Sequence, residues 1–212
     1  MGPLTLFGLP GSVYTRIAEI VLREKGCTFD MVAVDPFDPP LPGSYLQMHP
    51  FARVPVLRHG DVTIHETFAI ATYLDRAFPE PSLTPDTALS VARMMQVISV
   101  VDAYGYHPLV RKVFEQRVLA PIEDEIPDEA IIATGLAASK TTLAVLDRIA
   151  AEGLVLSSGA FTLACAHLVP MIACFRQAPE GLAAMAGAPH LSAWWDTVKD
   201  RRSIVDSARD LP

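Results

Sequence analysis

Long apolar runs are missing from this chain: across 212 residues, no uncharged stretch reaches the roughly 18 apolar residues that a membrane-spanning helix needs. The longest candidate, LACAHLVPMIACF at 163–175, stops at 13 residues and carries His167 and Pro170, so it reads as a buried core helix and no membrane role is expected. Basic charge is also short. Against 24 Asp+Glu stand 17 Lys+Arg, dispersed along the chain, and the formal charge of −7 leaves no electrostatic footprint for nucleic acid. Cys27, Cys165 and Cys174 form neither a CxxC pair nor a disulfide framework, which fits a reducing cytoplasm where thiols pack as small hydrophobes. No two of the six histidines sit at i, i+4 and no Cys/His set has zinc spacing, so no metal is expected. Gly8-x-x-Gly11 is neither a P-loop nor a dinucleotide fingerprint. The N-terminus, MGPLTLFGLP, enters an apolar strand directly, with no sign of a secretory leader.

Half of the residues are hydrophobic, enough for a core in each of two small domains. Up to about residue 78, strand and helix signals alternate. Leu4–Phe7 reads as a strand, 13–25 as a helix with Ile17, Ile20 and Val21 on one face and Gly26 as its stop, and Thr28–Val34 as a second strand. The proline-rich DPFDPPLPG at 35–43 excludes regular structure and leads to a short helix around Ser44–His49. Val56–Arg58 and Val62–Ile64 form a hairpin about His59-Gly60-Asp61, followed by a helix from Glu66 to about Phe78, with Phe68, Ala71, Leu74 and Phe78 on one face. The order is βαβ, then ββα. A linker with three prolines, FPEPSLTPD, follows, and beyond it strand signals vanish: helical patterns cover 87–117, 128–152, 162–177 and 190–202, separated by APIEDEIPD, GLVLSSGA and APEGLAAMAGAP. The expected domains are therefore 1–78 and an all-helical 87–212, joined by a linker at 79–86.

Three short motifs carry chemistry. Pro55 lacks an amide hydrogen and belongs at a strand's first position. Either it opens the strand through a trans bond, or a cis bond turns the Val54 N–H and C=O outward as an edge on which an extended peptide can pair. Glu66-Thr67 stands where strand gives way to helix. It is either an ordinary helix start or a receptor for a free amino-acid end, the Glu66 carboxylate taking the ammonium and the Thr67 hydroxyl and helix-start amide taking the carboxylate. Ser12, in the loop between the first strand and first helix, caps that helix and lies over the strand ends, where α/β sheets place ligands.

Gly8-Leu9-Pro10-Gly11-Ser12 before Thr15-Arg16, then Pro50-Phe51-Ala52-Arg53-Val54-Pro55-Val56, Gly60-Asp61 and Glu66-Thr67-Phe68-Ala69-Ile70, resemble the cytosolic glutathione transferase superfamily, in its serine-using theta- and phi-like groups and their bacterial relatives. The resemblance covers nearly the whole chain. It implies a thioredoxin-like α/β N-terminal domain, an all-α C-terminal domain and a homodimer. It also implies a cis bond at Pro55, a main-chain clamp for the cysteinyl part of glutathione at Val54, and a γ-glutamyl clamp at Glu66 and Thr67. Arg53 would approach the glycine carboxylate, and Phe51 matches an aromatic that inserts into the partner subunit in some classes. Ser12 would donate its hydroxyl hydrogen to the glutathione sulfur and hold it as thiolate, the form that attacks a hydrophobic electrophile; Tyr14 is the rival for that role.

The sequence departs from the family in two places. The usual Ser/Thr-x-x-Asp box that opens the central buried helix has Cys165 in the aspartate's place, so Thr162 is expected to cap alone, contributing about 1 kcal/mol. The proline-rich segment lacks the His-Lys pair that some classes use for the glycine carboxylate. Tyr104, Tyr106, His107 and Phe114, near a kink expected at Pro108, are candidates for either pocket or core, and Arg111-Lys112 and Arg201-Arg202 for solvated faces. Two other functions fit the same site: a binding module of the same fold without transferase activity, and an isomerase, dehalogenase or peroxidase working through the same thiolate.

Overall fold

A computed structural model describes residues 2–157, 159 and 161–208. Ser158 and Ala160 of the GLVLSSGA connection, and the last four residues, lie outside the described residues. The chain forms two compact units, one running to Ser82 and taking in the chain from Arg201, the other Leu83–Asp200.

In the first unit, β1 (Leu4–Gly8), α1 (Val13–Glu24) and β2 (Asp30–Ala33) make the βαβ half. After α2 (Gly43–Met48), β3 (Val56–His59), β4 (Val62–His65) and α3 (Thr67–Ala77) make the ββα half. The strands lie in the order β2-β1-β3-β4, with β1 and β2 parallel and the other two pairs antiparallel. Every residue of β1 is buried, and α1 buries Ile17, Ile20, Val21 and Leu22 completely, so the sheet and helix share one apolar core. Gly26 ends α1 at φ 64, as expected of a residue free to take positive φ. The buried face of α3 is rotated from the expected one: Ile70, Ala71 and Leu74 face α1, while Phe68 and Phe78 are half-buried. Buried Asp75 explains the rotation, because it receives the fully buried Lys25 ammonium at 2.5 Å, and that ammonium also donates to the Pro81 carbonyl.

The sequence assigned everything from 87 onward to the helical domain, but α10 (Arg202–Asp206) packs on α1. Charge accounts for it. Arg201 donates to both carboxylate oxygens of Glu24 at 3.0 and 2.7 Å, Ser203 donates to the same carboxylate, and Arg16 reaches Ser207 Oγ and the Ile204 carbonyl. Arg201 is thus an anchor and not merely part of a solvated face.

The second unit is all-helical. In it, α4 (Ala88–Val100) runs into two π-helical stretches, Val101–Gly105 and His107–Leu119, and then α5 (Ala120–Ile122). Pro108 opens the second stretch: the kink expected there is a widened helix, the wider turn accommodating the proline's missing N–H. Packed around it are α6 (Glu129–Ala151) and α7 (Leu163–Gln177), followed by α8 (Pro179–Met185) and α9 (Pro189–Val198). By length and composition α6 is apolar enough to cross a membrane. It carries one buried stripe, Ile132, Gly135, Ser139, Leu143, Leu146 and Ile149, as a packed globular helix does. The APEGLAAMAGAP separator holds α8, started by Pro179 at its first position.

Thr162 does not cap α7. Its hydroxyl turns to the Val155 carbonyl at 3.2 Å and to Cys165 Sγ at 3.6 Å, and the amide of Leu163 is satisfied by the Leu83 carbonyl at 2.9 Å. Cys165 also reaches the Val155 carbonyl, so the helix start is held by a small network where the family has a box. Phe114 is buried core, whereas Tyr104 and His107 are exposed and Tyr106 lies edge-on to His107.

Candidate active site

Strand register brings the motifs together. Phe7 of β1 pairs with Val56 of β3, and Val56 pairs with His65 of β4. The residues just beyond these positions are the Gly8–Ser12 loop, Val54-Pro55 and Glu66-Thr67, so three segments far apart in sequence meet at one end of the sheet. Sequence spacing alone does not reveal this convergence; the antiparallel pairings do.

Each segment has a local cause. A Cβ on Gly8 would sit 2.4 Å from the Thr15 side chain, so glycine is what lets α1 start directly beside the strand end. Gly11, at φ 87, turns the chain, and the Ser12 N–H closes the turn on the Leu9 carbonyl at 3.1 Å. Ser12 then caps α1: its Oγ accepts from the Thr15 N–H at 3.4 Å and its carbonyl accepts the first helical bond from Arg16. That bond uses a lone pair and leaves the hydroxyl hydrogen available to a ligand at a helix N-terminus. Tyr14 lies inside α1.

The Val54–Pro55 bond is cis. The Val54 side chain packs on the cluster of Phe7, Tyr45 and Val56, and no hydrogen bond occupies its main-chain N–H or C=O among the described residues. Arg53, exposed, is held from behind: the Tyr45 phenol donates to its carbonyl at 2.7 Å. Burial pushes that phenol up to about 12, so it stays a neutral donor. Tyr45 supports the site and was missed in the sequence, where nothing distinguishes it from an ordinary aromatic of a short helix.

Glu66 is exposed at φ 70, ψ 117, a conformation that costs of order 1–3 kcal/mol for a residue with a Cβ. It stands at the N-cap of α3, its carbonyl accepting from the Ile70 N–H at 2.9 Å, but its carboxylate makes no cap to the helix. Thr67, nearly buried, begins α3 with its hydroxyl unengaged by any other described residue. An unpaired strand-like main chain, a hydroxyl and amide at a helix start, an exposed carboxylate and a serine hydroxyl suit a short peptide with a free amino-acid end. Among the described residues no group of three or more His, Cys, Asp or Glu is placed to hold a metal ion.

The comparisons agree with this geometry. Residues 6–82 match the family described as glutathione S-transferase, N-terminal domain. Glutathione S-transferase 3 of Zea mays is 27% identical over 213 residues, covering 100% of this chain and 96% of that one. A solved glutathione S-transferase III in apo form superposes with a TM-score of 0.85 at 27% identity, covering 100% of this chain and 98% of the other. A theta class glutathione S-transferase from Xanthomonas axonopodis pv. citri, with glutathione bound, superposes at 0.81 with 25% identity over 99% of this chain and 97% of the other. A two-layer thioredoxin-like unit with this site, followed by a helical unit, is the architecture of a glutathione-handling protein. Over its whole length the chain is similar to cytosolic glutathione transferases, and residues 6–82 match the N-terminal domain of that family.

Proposed function

We propose that this protein is a glutathione transferase in which Ser12 stabilises the thiolate that attacks a hydrophobic electrophile. The observation that carries the reading is the convergence of the Ser12 loop, the unpaired Val54 main chain and Glu66-Thr67 at one end of the sheet. Val54 pairs with the cysteinyl backbone as an added strand would, Glu66 takes the γ-glutamyl ammonium, and Thr67 with the α3 amide takes its carboxylate. Arg53 reaches the glycine carboxylate. Ser12 donates to sulfur, aided by the α1 dipole, and the thiol proton leaves to solvent. The thiolate forms the carbon–sulfur bond as the electrophile's leaving group departs; Ser12 itself forms no covalent bond.

Phe51, 67% exposed, fits a residue that seats in a second copy of the chain, and we propose a homodimer on that basis. Cys27, Cys165 and Cys174 are all free thiols, which supports a cytoplasmic setting.

Retention on immobilised glutathione, followed by assays with chlorodinitrobenzene and an organic peroxide on wild type and Ser12→Ala, tests the reading. The expected result is retention of both proteins and turnover that falls in the variant. Retention without turnover on either substrate favours the binding module, and equal turnover in both removes Ser12 from its role.

A further inference from the structure

Two imidazoles join the halves of the clamp. His49 ends α2, taking the Tyr45 carbonyl on its N–H at 2.9 Å, and its own carbonyl accepts from Ala52 N–H at 3.0 Å, closing the turn that leads into Arg53 and Val54. The residue is 2% exposed, and its ring Nδ1 lacks a hydrogen-bond partner among the described residues. That ring packs on His65, centroid to centroid 4.8 Å with planes 35° apart, and Phe51 lies edge-on to both at 6.2 and 6.3 Å. His65 is the last residue of β4, directly before the positive-φ Glu66. The ring pair therefore ties the loop presenting Val54 to the strand end presenting Glu66.

We propose that the His49–His65 stack is a positioning strut of the glutathione clamp that holds while the His49 ring is neutral, so that one proton taken up there opens the clamp and weakens the hold on the tripeptide. The inference rests on the glutathione reading above. Two imidazolium charges at this separation repel in a half-buried setting. Even a single charge beside Glu66 competes with the ligand's ammonium for that carboxylate. The charged and titratable groups acting on His49 are His65 on β4, Arg53 on the clamp loop and Glu66 at the α3 start. Burial, then His65 and Arg53, pull the His49 pKa below the usual histidine value, against the opposing pull of Glu66. The strut is thus intact near neutral pH, and its contribution is lost as pH falls below the ordinary histidine range.

Calorimetric titration with S-methylglutathione, which keeps both ends of the tripeptide but has no ionisable thiol, isolates the effect from thiol chemistry. Absence of binding by the wild type at about pH 8 overturns the glutathione reading, and the strut with it. With binding present there, Kd is expected to climb as pH falls below about 6.5, approaching tenfold per pH unit, the limit for one linked proton. A His49→Gln/His65→Phe double variant, with no titrating group at the pair, is expected to stay flat down to about pH 5. His65→Ala is expected to raise KM for glutathione at pH 8 with kcat little changed, and His65→Phe, which restores a ring, to recover most of that loss. A flat wild-type Kd, or a double variant as steep as the wild type, overturns the strut while leaving the glutathione reading standing.

Discussion

Deleting one oxygen from Ser12 separates thiol activation from binding. The Ser12 Oγ has two duties: it accepts the Thr15 N–H at 3.4 Å, and its hydrogen points to the ligand sulfur in the proposed mechanism. The first bond is long, so losing the cap costs about 0.5–1 kcal/mol, the lower part of the usual range. That shifts Tm by only about 1–4 °C in a chain of this size. A hydrogen bond to a charged acceptor contributes about 1.5–3 kcal/mol, and each pKa unit is about 1.4 kcal/mol, so Ser12 lowers the glutathione thiol by about one to two units from its free value near 8.5. The folded site favours the charged form, so its advantage is present between the lowered pKa and about 8.5, and vanishes above that. The Ser12→Ala kcat is therefore expected to fall about 10- to 50-fold near pH 6.5 and to converge on wild type near pH 9.5. Ultraviolet titration of the bound thiolate, run beside the pH dependence of kcat, measures both. An acid limb that does not move in the variant refutes the role of Ser12, whatever happens to the absolute rate.

Thr67→Ala is expected to weaken glutathione binding by about 1–3 kcal/mol in calorimetry, as for a lost hydrogen bond to a charged group, with Thr67→Ser recovering most of it; an unchanged affinity counts against the clamp. Lys25→Met leaves Asp75 buried without its cation and is expected to cost about 3–5 kcal/mol in urea unfolding, most of it recovered by adding Asp75→Leu; a loss below about 1 kcal/mol refutes the buried pair's importance. At Gly181 an added Cβ would lie 1.9 Å from the Phe175 carbonyl oxygen, so Gly181→Ala must push α8 off α7 and is expected to destabilise by about 1–3 kcal/mol; an unshifted urea midpoint contradicts that packing.

The N-terminal half was legible because its punctuation is local. Gly26 stops α1 with its positive φ, the run from Pro36 to Pro42 forbids regular structure, and Gly60 at φ 57 turns the hairpin; each acts through its own backbone. The errors fell where a distant partner decides. Asp75 stands outside the apolar face expected for α3, and only Lys25, 50 positions earlier, makes it interior and rotates the buried face from Phe68 toward Ile70. Likewise Thr162 carries the signature of a cap, but the Val155 carbonyl competes for its hydroxyl, and no pattern within 162–165 announces that. α10 was misassigned because nothing in Arg201–Ser203 names Glu24 as its partner. Of the site, Ser12, Val54-Pro55 and Glu66-Thr67 could be read as separate motifs, but Tyr45 and the His49–His65 stack act only through the register that joins them.

A clamp built this way tolerates sequence drift. In the proposed clamp Val54 offers the ligand its main-chain groups while its side chain packs on the core, so any apolar residue that fills the space beside Phe7 and Tyr45 would leave those groups in place. In the proposed clamp the α3 amide contributes from the backbone in the same manner, which leaves the direct side-chain contacts to Ser12, Arg53, Glu66 and Thr67. Four side chains are a small constraint on 212, in keeping with a fold shared at a TM-score of 0.85 where only 27% of residues are identical. The same logic places the chain's own character in what surrounds the clamp: in the proposed strut the stacked rings of His49 and His65 position the main-chain groups, so recognition and proton sensitivity are coupled through one pair.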